Sequence, residues 1–531
     1  MKKWVGLAAA GLSMTTPAKA NWYKAESPHF VVYAQDSERD VAKFAEILER
    51  FHAAMGIMTG RKDVVPSPSN RVVIFAVGSE AAVQKLVGDK NRNIAGFYIP
   101  RAGGSRAFVP NISASTVETD FSLTILLHEY AHHFLMSTSR YAMPRWIDEG
   151  AAEFFASAKF SRDGSVGLGR PASHRAAELA YAKDVTVEEL LDQELYAKRR
   201  GKGFDAFYGR AWGLYHYLAI EDFTRGPRKD QLRNYAKAIV QGKSQRDAAV
   251  SAFGDLKQLE KELDAYLKRR NLNYLHFDAQ QIPSASVRTT PLSPGEGEVM
   301  PLRIRSQRGV DRTEALALVP QVRELAKKYP EDAGVLAALA EAEHDAGNDE
   351  AAIAAADKAI GLDPTRVNAY VQKGYSLFRM AREAPPEKRS AAFKAAMRPF
   401  EALNKVENDH PLPLIFYYRS FAEQGREPTE LARHALERAS QLAPFDQGLA
   451  FQAAIMHAQE GSIALAKHSL NALAASPHGG PLAERARRLA DSLAKLSEGT
   501  RWQGDPLLDL NAELDQVDGP GNDGSEVSRP R

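Results

Sequence analysis

The sequence has 531 residues and carries 69 lysines and arginines against 67 aspartates and glutamates, a formal net charge of +2 at pH 7. A charge so evenly balanced gives no reason to expect binding to nucleic acid or to a membrane surface. The sequence has no cysteine, which excludes disulfide bonds and lipid attachment through cysteine, and its length with 44% hydrophobic residues predicts two or more domains.

Residues 1–20 have the pattern of a secretory signal peptide. Two lysines follow the initial methionine, an apolar run extends from Trp4 to Met14, and a small-residue motif ends at Ala20. This pattern predicts cleavage near Ala20 and a periplasmic or secreted bacterial protein. The alternative is a short buried helix. The run is too short to span a bilayer, and no later segment is apolar enough to do so.

Between residues 21 and 117 the sequence alternates between strand and helix patterns, which predicts a small mixed sheet with helices. The predicted elements are a strand at His29–Tyr33, a helix capped by Ser37 and running to about Met58, a strand at Arg71–Val77, a helix at Glu80–Val87, and a hairpin of Gly96–Ile99 with Arg106–Val109.

An HExxH motif follows, in a segment from about Asp120 to Ser137 whose apolar residues have helical spacing. Residues four apart project from nearly the same face of a helix, so His128 and His132 can bind one zinc ion. Glu129 would lie beside the open position of that ion, where it can take a proton from water. The motif therefore predicts the site of a zinc-dependent hydrolase.

Catalytic zinc usually has three protein ligands, and the best candidate for the third is Glu149. Pro144 can begin a second helix, and Gly150 allows another backbone to pass close by. Glu149 and Glu153 form an i, i+4 pair on that helix, so one carboxylate can bind the metal and the other can support it. His133 lies about 100° around the helix from His132, which favours a hydrogen-bonding or surface role.

The HEYAH segment, followed after 16 residues by the glutamate of WIDEGAAE, resembles the gluzincin metallopeptidases, and especially secreted bacterial gluzincin-like proteins with C-terminal helical repeats. The resemblance covers residues 21–277 and implies an α+β zincin-like metallopeptidase domain. It implies that His128, His132 and Glu149 bind zinc, that Glu129 is the general base and that Glu153 supports the ligands. The WxxEG setting is also similar to that of aminopeptidases related to leukotriene A4 hydrolase, but their GxMEN segment is not visible upstream.

The same resemblance implies two further features. An edge strand before the HExxH helix would bind extended substrate by strand addition, and Arg106–Val109 has the appropriate position, with an ordinary hairpin as the alternative. A tyrosine from the later, all-helical part of the domain would stabilise the oxyanion, and Tyr208 is the candidate. Its neighbours Trp212 and Tyr215 recur at helical spacing and are predicted to be core residues, and His216 is more typical of a structural histidine.

The remaining sequence divides into three parts. Residues 278–312 are rich in proline, serine and glycine and are predicted to be a linker. Residues 313–495 are rich in alanine and leucine, with prolines at 330 and 364 and again at 444 and 477, and this spacing of 33 to 34 residues resembles tetratricopeptide repeats, which implies an all-α solenoid. Residues 496–531 are predicted to be a disordered tail.

These observations lead to the hypothesis of a secreted or periplasmic zinc-dependent peptidase that hydrolyses peptide bonds and recruits a protein or peptide partner through its repeats. The alternative hypothesis is a non-catalytic binding or assembly protein that uses the repeats and keeps the zinc fold as a scaffold. The glutamate at position 129 favours the peptidase, because a scaffold needs only the metal ligands.

Overall fold

The computed structural model describes residues 21–88, 94–112, 121–138, 141, 143–198, 204–475 and 480–504. The predicted signal peptide, residues 1–20, and the chain beyond residue 504 lie outside the described residues. Within the described ranges, no helix combines the length and the apolar character needed to cross a membrane.

Nine strands in the described residues form two sheets. The strands are β1 Trp22–Glu26, β2 Phe30–Gln35, β3 Val72–Ala76, β4 Phe97–Ile99, β5 Arg106–Val109, β6 Lys159–Phe160, β7 Val166–Leu168, β8 Leu275–Phe277 and β9 Arg288–Pro291. The larger sheet has the order β4-β5-β3-β2-β1-β9, and the smaller one has the order β6-β7-β8. Strands β2, β3 and β5 are parallel, and the other pairings are antiparallel.

The predicted hairpin is confirmed, because β4 pairs with β5 in the register Phe97↔Phe108. The prediction that Arg106–Val109 forms the sheet edge is wrong. Strand β5 lies between β4 and β3 and pairs with both, so β4 is the terminal strand on this side of the sheet. The sequence pattern identifies two paired strands but does not indicate which of them meets the rest of the sheet.

The first half of the chain contains eleven α-helices in its described residues. They are α1 Glu38–Thr59, α2 Glu80–Val87, α3 Phe121–Thr138, α4 Arg145–Ala156, α5 Ala176–Tyr181, α6 Val187–Leu190, α7 Gln193–Ala197, α8 Phe207–Thr224, α9 Gln231–Val240, α10 Gln245–Phe253 and α11 Leu256–Leu267. The side chain of Ser37 caps α1 by accepting a hydrogen bond from the backbone N–H of Asp40, as its position before the helix predicts.

Two hydrophobic cores position the elements of this half. Helices α1 and α3 pack on one face of the larger sheet, where Phe51 and Leu127 are fully buried with Ile74 of β3. Helices α8 to α11 share a second core with the start of α4, centred on Trp146, which is also fully buried. Helix α4 therefore belongs to both cores and is fixed from two sides.

The second half of the described chain consists of eleven helices. They are α12 Pro294–Arg308, α13 Arg312–Lys328, α14 Ala333–Asp345, α15 Asp349–Leu362, α16 Val367–Glu383, α17 Pro386–Val406, α18 Pro411–Ala422, α19 Glu430–Leu442, α20 Gln447–Glu460, α21 Ile463–Ala474 and α22 Gly480–Leu493. Each helix packs on its neighbours in the chain through small or apolar residues, so this half is a continuous array of helices, as the alanine-rich repeat pattern predicts.

The predicted linker at residues 278–312 is a structured part of the fold, and that prediction is wrong. Strand β9 pairs with β1, and α12 buries Met300 and Ile304 against Trp22 and Val31 of the larger sheet. The helical array therefore starts at Pro294 instead of residue 313. The prolines and glycines of this segment favour a linker over a helix in the sequence. Pro294 nevertheless stands in the first turn of α12, where its missing N–H costs nothing.

The predicted disordered tail also begins with an ordered segment. The backbone N–H of Gly499 donates to the carbonyl of Gly461 at 2.8 Å, and that of Trp502 donates to the carbonyl of Ala458 at 2.9 Å. Residues 496–504 are thus attached to the end of α20. The polar sequence of this segment gives no sign of that attachment.

The two halves contact each other through the turn before β3 and through the tip of the β4–β5 hairpin. The hydroxyl of Ser69 donates to the Glu407 carboxylate at 2.6 Å, and the backbone N–H of Ala102 donates to Asp446 at 2.8 Å. A chamber of about 2970 Å³ lies between the halves. Its walls include parts of α3, α4 and β4 on one side and of α14, α16, α18 and α20 on the other.

Candidate metal centre

The side chains of His128, His132 and Glu149 converge at one buried point. The Nε2 atoms of the two histidines are 3.1 Å apart, and they lie 3.5 Å and 3.6 Å from the Oε2 atom of Glu149. All three residues are buried, and Glu149 is fully buried. The structure thus brings together the three residues that the sequence predicts as metal ligands.

The separations between these three atoms fit a zinc ion. Ligands at about 2.0–2.1 Å from a tetrahedral zinc ion are about 3.3 Å from one another. The rings of His128 and His132 are inclined to each other by 77°, so their nitrogen lone pairs can converge on one point. Two imidazoles and one carboxylate also match the donor set of catalytic zinc sites.

The local sequence explains why α3 and α4 meet at this point. The spacing of four residues places His128 and His132 on one face of α3. A methyl group on Gly150 would lie only 2.5 Å from the carbonyl oxygen of Ala211 in α8, so the glycine permits a close approach of α4 and α8. This close approach is the one that the sequence predicts for Gly150, and α4 packs against α3 as well.

Glu153 lies on the Nδ1 side of the His128 ring, opposite Glu149. Its Oε1 atom is 3.2 Å from Nδ1 of His128 and accepts a hydrogen bond from Arg175 at 2.5 Å. Its Oε2 atom lies 2.5 Å from Nε2 of His174. Burial would raise the pKa of Glu153, but Arg175 and the two histidines hold that pKa well below its usual value. Glu153 is therefore a buried, ionised carboxylate beside Nδ1 of His128.

The carboxylates of the candidate metal centre stabilise positive charge on His128. Burial alone would lower the pKa of His128, but the carboxylates of Glu149 and Glu153 raise it to about 10. Burial raises the pKa of Asp148, the residue beside Glu149, to about 7. Buried carboxylates at this point stabilise a protonated imidazole. The same negative charge would favour the binding of a divalent metal ion.

Glu129 and His132 line the chamber between the two halves, so this side of the candidate centre is open to a ligand. Tyr98 of β4 and Tyr215 of α8 line the same chamber. Burial raises the pKa of Tyr215 to about 12, so its hydroxyl stays protonated at neutral pH. Sequence analysis assigned Tyr215 to the core. Its helical spacing with Trp212 gave no sign that its side chain also reaches the chamber.

Burial and the nearby Glu149 carboxylate raise the pKa of Tyr208, the predicted oxyanion donor. Its hydroxyl accepts a hydrogen bond from Arg145 at 3.4 Å, and its ring lies beneath the guanidinium of Arg175 at 4.7 Å. It is not among the described residues that line the chamber. The structure therefore places Tyr208 near Glu149 and Arg145 but not among the described residues of the chamber wall.

His133 makes the hydrogen bond that its position on α3 predicts. Its Nδ1 atom is 2.6 Å from the Tyr98 hydroxyl, and its ring packs at 4.5 Å against Phe445 of the helical half. Burial lowers the pKa of His133 to about 3, with His52 and His29 adding to the effect. His133 thus joins α3 to β4 and to the helical array.

A second histidine cluster, which no sequence motif indicates, joins α1 to the segment that follows it. The rings of His29 and His52 stack at 3.6 Å with 20° between their planes, and their Nε2 atoms lie 2.9 Å and 3.2 Å from Asp63. The Nδ1 atoms are held by Glu49 and by the Tyr130 hydroxyl. Both Nε2 atoms face the same oxygen atom of Asp63, and the cluster forms a hydrogen-bond network between α1 and α3. The same three side chains are also close enough together to hold a metal ion.

Comparison with known proteins gives little information on function. A family model described as "Protein of unknown function (DUF1570)" matches residues 122–232, a range that includes the three candidate ligands. No curated protein matches the chain.

Two solved structures are similar to part of the chain. One is TTC0263, a thermophilic TPR protein of Thermus thermophilus, at 17% identity over 34% of this chain and 91% of that protein, with a TM-score of 0.29. The other is the MamA RS-1 ArsTM double mutant, at 16% identity over 38% of this chain and 98% of that protein, with a TM-score of 0.27.

Proposed function

We propose that the chain is a zinc-dependent peptidase with a zincin-like catalytic half, acting in the periplasm or after secretion. The observation that supports this function is the triad of His128, His132 and Glu149, whose separations fit zinc, with Glu129 facing the chamber beside it. The separate helical array and the secretory pattern of residues 1–20 agree with the resemblance to secreted bacterial gluzincin-like proteins.

His128, His132 and Glu149 would hold the zinc ion, and Glu153 would keep the His128 ring oriented. Zinc supplies Lewis acidity, which makes water a nucleophile near neutral pH and polarises a substrate carbonyl. Glu129 would accept the proton of the attacking water and pass it to the leaving amine. Tyr208, whose pKa the nearby Glu149 carboxylate helps burial to raise, and Tyr215, which lines the chamber, are the two candidates to donate a hydrogen bond to the oxyanion.

The substrate would bind as an extended segment along β4, the strand that replaces β5 in this role. Among the described residues, no strand pairs with the outer edge of β4, so its backbone groups are available for strand addition. All three of its residues, Phe97, Tyr98 and Ile99, line the chamber together with Glu129. A peptide on this edge would therefore pass in front of the candidate metal centre.

The alternative function is a binding or assembly protein in which the helical array binds a protein or peptide partner and the metal site is structural. The observation that favours it is the wall of helices α14, α16, α18 and α20, which offers a long inner surface to a ligand. Both functions need that surface, but only the peptidase needs Glu129 beside the metal site.

Metal analysis together with digestion of a peptide library tests the proposal. The purified full-length chain should contain about one zinc per molecule and should cleave peptides, and Glu129→Gln should keep the zinc and lose the cleavage. Zinc without cleavage in the unaltered chain would favour the alternative function, and a chain that binds no zinc would contradict both the catalytic and the structural metal site.

A further inference from the structure

Part of the chamber wall is formed by the face of the larger sheet that is turned away from α1 and α3. Side chains alternate between the two faces of a strand, so Ala107 and Val109 of β5 pack towards α1 and α3, whereas Arg106 and Phe108 point to the opposite face. On that opposite face, four aromatic rings form a row across four strands, with centroid separations from 4.6 Å to 5.5 Å: Tyr33, Phe75, Phe108 and Phe97. Arg106 stands beside this row and lines the chamber.

Three arginines from separate elements surround this position. Arg106 is on β5, Arg101 is on the turn of the β4–β5 hairpin, and Arg303 is on α12, with its guanidinium 5.1 Å from the centre of the Tyr33 ring. All three line the chamber. The hairpin turn is anchored on the helical half, since Ala102 donates its backbone N–H to Asp446. Both halves of the chain therefore contribute to the arginine cluster.

Three carboxylates act on the cluster: Glu341 of α14 on Arg106 and Arg303, Glu296 on Arg303, and Asp446 on Arg101. Glu341 also accepts hydrogen bonds from Gln307 at 3.2 Å and Asn368 at 3.1 Å, so amide groups already occupy part of it. Burial lowers the pKa of Arg106 to about 10; Glu341 opposes this effect, and Arg101 adds to it. A partly desolvated guanidinium in a field of like charge gains energy when an anion binds to it.

We propose that Arg106, Arg101 and Arg303 form a subsite that binds an acidic side chain of the peptide substrate. This inference rests on the proposed function and names its substrate class, an extended polypeptide with glutamate or aspartate at alternate positions. On a peptide paired with β4, every second side chain would face the arginines, because Ile99 of β4 and Arg106 of β5 are paired on that face. The intervening side chains would face the metal centre.

The helical array then has a specific role. Tyr375 of α16 lies close enough to Arg106 and Arg101 for both guanidinium groups to oppose the rise that burial causes in its pKa. The inner surface of the array would hold the same peptide that the metal centre acts on, because it forms the far wall of the chamber. The partner predicted for the repeats is thus the substrate itself.

Binding to the full-length Glu129→Gln chain, loaded with zinc, tests this proposal without hydrolysis. Two fluorescent, unstructured decapeptides would be compared by anisotropy, one with glutamate and one with glutamine at alternate positions. We expect the acidic peptide to bind about tenfold more tightly, the effect of about one charge-assisted hydrogen bond. Arg106→Gln should remove this preference, and Arg106→Lys should keep most of it.

The matched control is Arg233→Gln. Arg233 also lines the chamber, but it is 58% exposed and pairs with Asp222 and Asp230, so its loss should leave the preference unchanged. Arg303→Gln gives a second test if Arg106→Gln does not fold. The proposal is overturned if the unaltered subsite shows no preference, if neither peptide binds, or if the preference survives both substitutions.

A parallel cleavage assay with the unaltered chain separates this subsite from the proposed function. If the chain cleaves both peptides equally and shows no preference in binding, the subsite is wrong and the peptidase stands. If binding depends on Arg106 but neither peptide is cleaved, the subsite stands and the peptidase is wrong.

Discussion

The Nδ1 atom of His128 lies 3.2 Å from the Oε1 atom of Glu153, while Nε2 of the same ring faces Glu149 at 3.5 Å. A carboxylate on Nδ1 fixes the tautomer that keeps the proton there, which leaves the Nε2 lone pair for a metal ion. Arg175 and His174 hold Glu153 in turn. Glu149 and Glu153 are therefore one helical turn apart and face opposite nitrogen atoms of the His128 ring.

The first prediction is that the two glutamates differ in their effect on zinc binding. Glu149→Gln should nearly empty the site, because it removes an anionic ligand. Glu153→Gln should lower the zinc affinity by about 10–100-fold while the metal can still bind. Zinc content at limiting metal, measured side by side for the two variants, checks this. An empty Glu153→Gln site beside a full Glu149→Gln site would reverse the assignment.

The second prediction concerns Glu129, which lines the chamber and is not needed to hold the metal. Glu129→Gln keeps the shape of the side chain but cannot accept a proton from water. We expect unchanged zinc content and a fall in kcat/KM of about 10²–10⁴, the usual effect of losing a general base. Steady-state cleavage of a fluorogenic peptide measures it, and full activity in the variant would contradict the mechanism.

The candidate ligands could be predicted from the sequence because they depend on local geometry. His128 and His132 are placed by helical periodicity, and Glu149 sits on the next helix, where Pro144 and Gly150 mark the start and the close contact with α8. Helix α2 likewise has the predicted bounds of Glu80–Val87, because Ser79 caps its start and Gly88 follows its end.

The missed features all depend on contacts between distant parts of the chain. Arg175 reaches Glu153 from 22 residues away, and Arg106 acquires its neighbours only when α12 folds onto the sheet. Strand β9 is a short polar segment whose pairing with β1 has no periodic signal. Tyr208 and Tyr215 lie on the same helix, and only the packing of α8 decides which of them reaches the chamber.

The third prediction is that a chain ending at Phe277 is destabilised, although the sequence pattern suggested a linker at this point. The truncation removes β9 and α12, which would expose Trp22, Val31 and Phe75 of the sheet to water. The truncated chain should bind a hydrophobic dye and unfold at a lower temperature than the full-length chain. Cooperative unfolding at the full-length temperature, without dye binding, would show that the first half is independent.

Limited proteolysis of the full-length chain is a second test of whether residues 278–312 are packed into the fold. Because β9 and α12 are part of the packed structure, early cuts should not concentrate between residues 278 and 312. Preferential early cleavage between 278 and 312 would favour the linker that the sequence suggested.

The last prediction concerns stability in acid, through a histidine away from the metal centre. His216 is fully buried, with Nε2 2.7 Å from the carbonyl oxygen of Gly169 and Nδ1 2.8 Å from the Tyr266 hydroxyl. Burial lowers its pKa to about 4, against the ordinary value of 6.5. The unfolded chain therefore binds more protons than the folded chain between these values. The contribution to stability is complete above pH 6.5 and is lost as the pH falls towards 4.

At pH 5 this single group should cost about 2 kcal/mol of the stability present at pH 7, since each unit of pKa difference is about 1.4 kcal/mol. His216→Gln can still donate to Gly169 and accept from Tyr266 but does not titrate, so its stability should fall less between pH 7 and pH 5, by about that amount. Urea unfolding followed by tryptophan fluorescence at both pH values measures the difference. His276→Gln is the matched control, because that ring is 51% exposed. An equal loss of stability in all three proteins would show that His216 does not stay neutral when the pH is lowered.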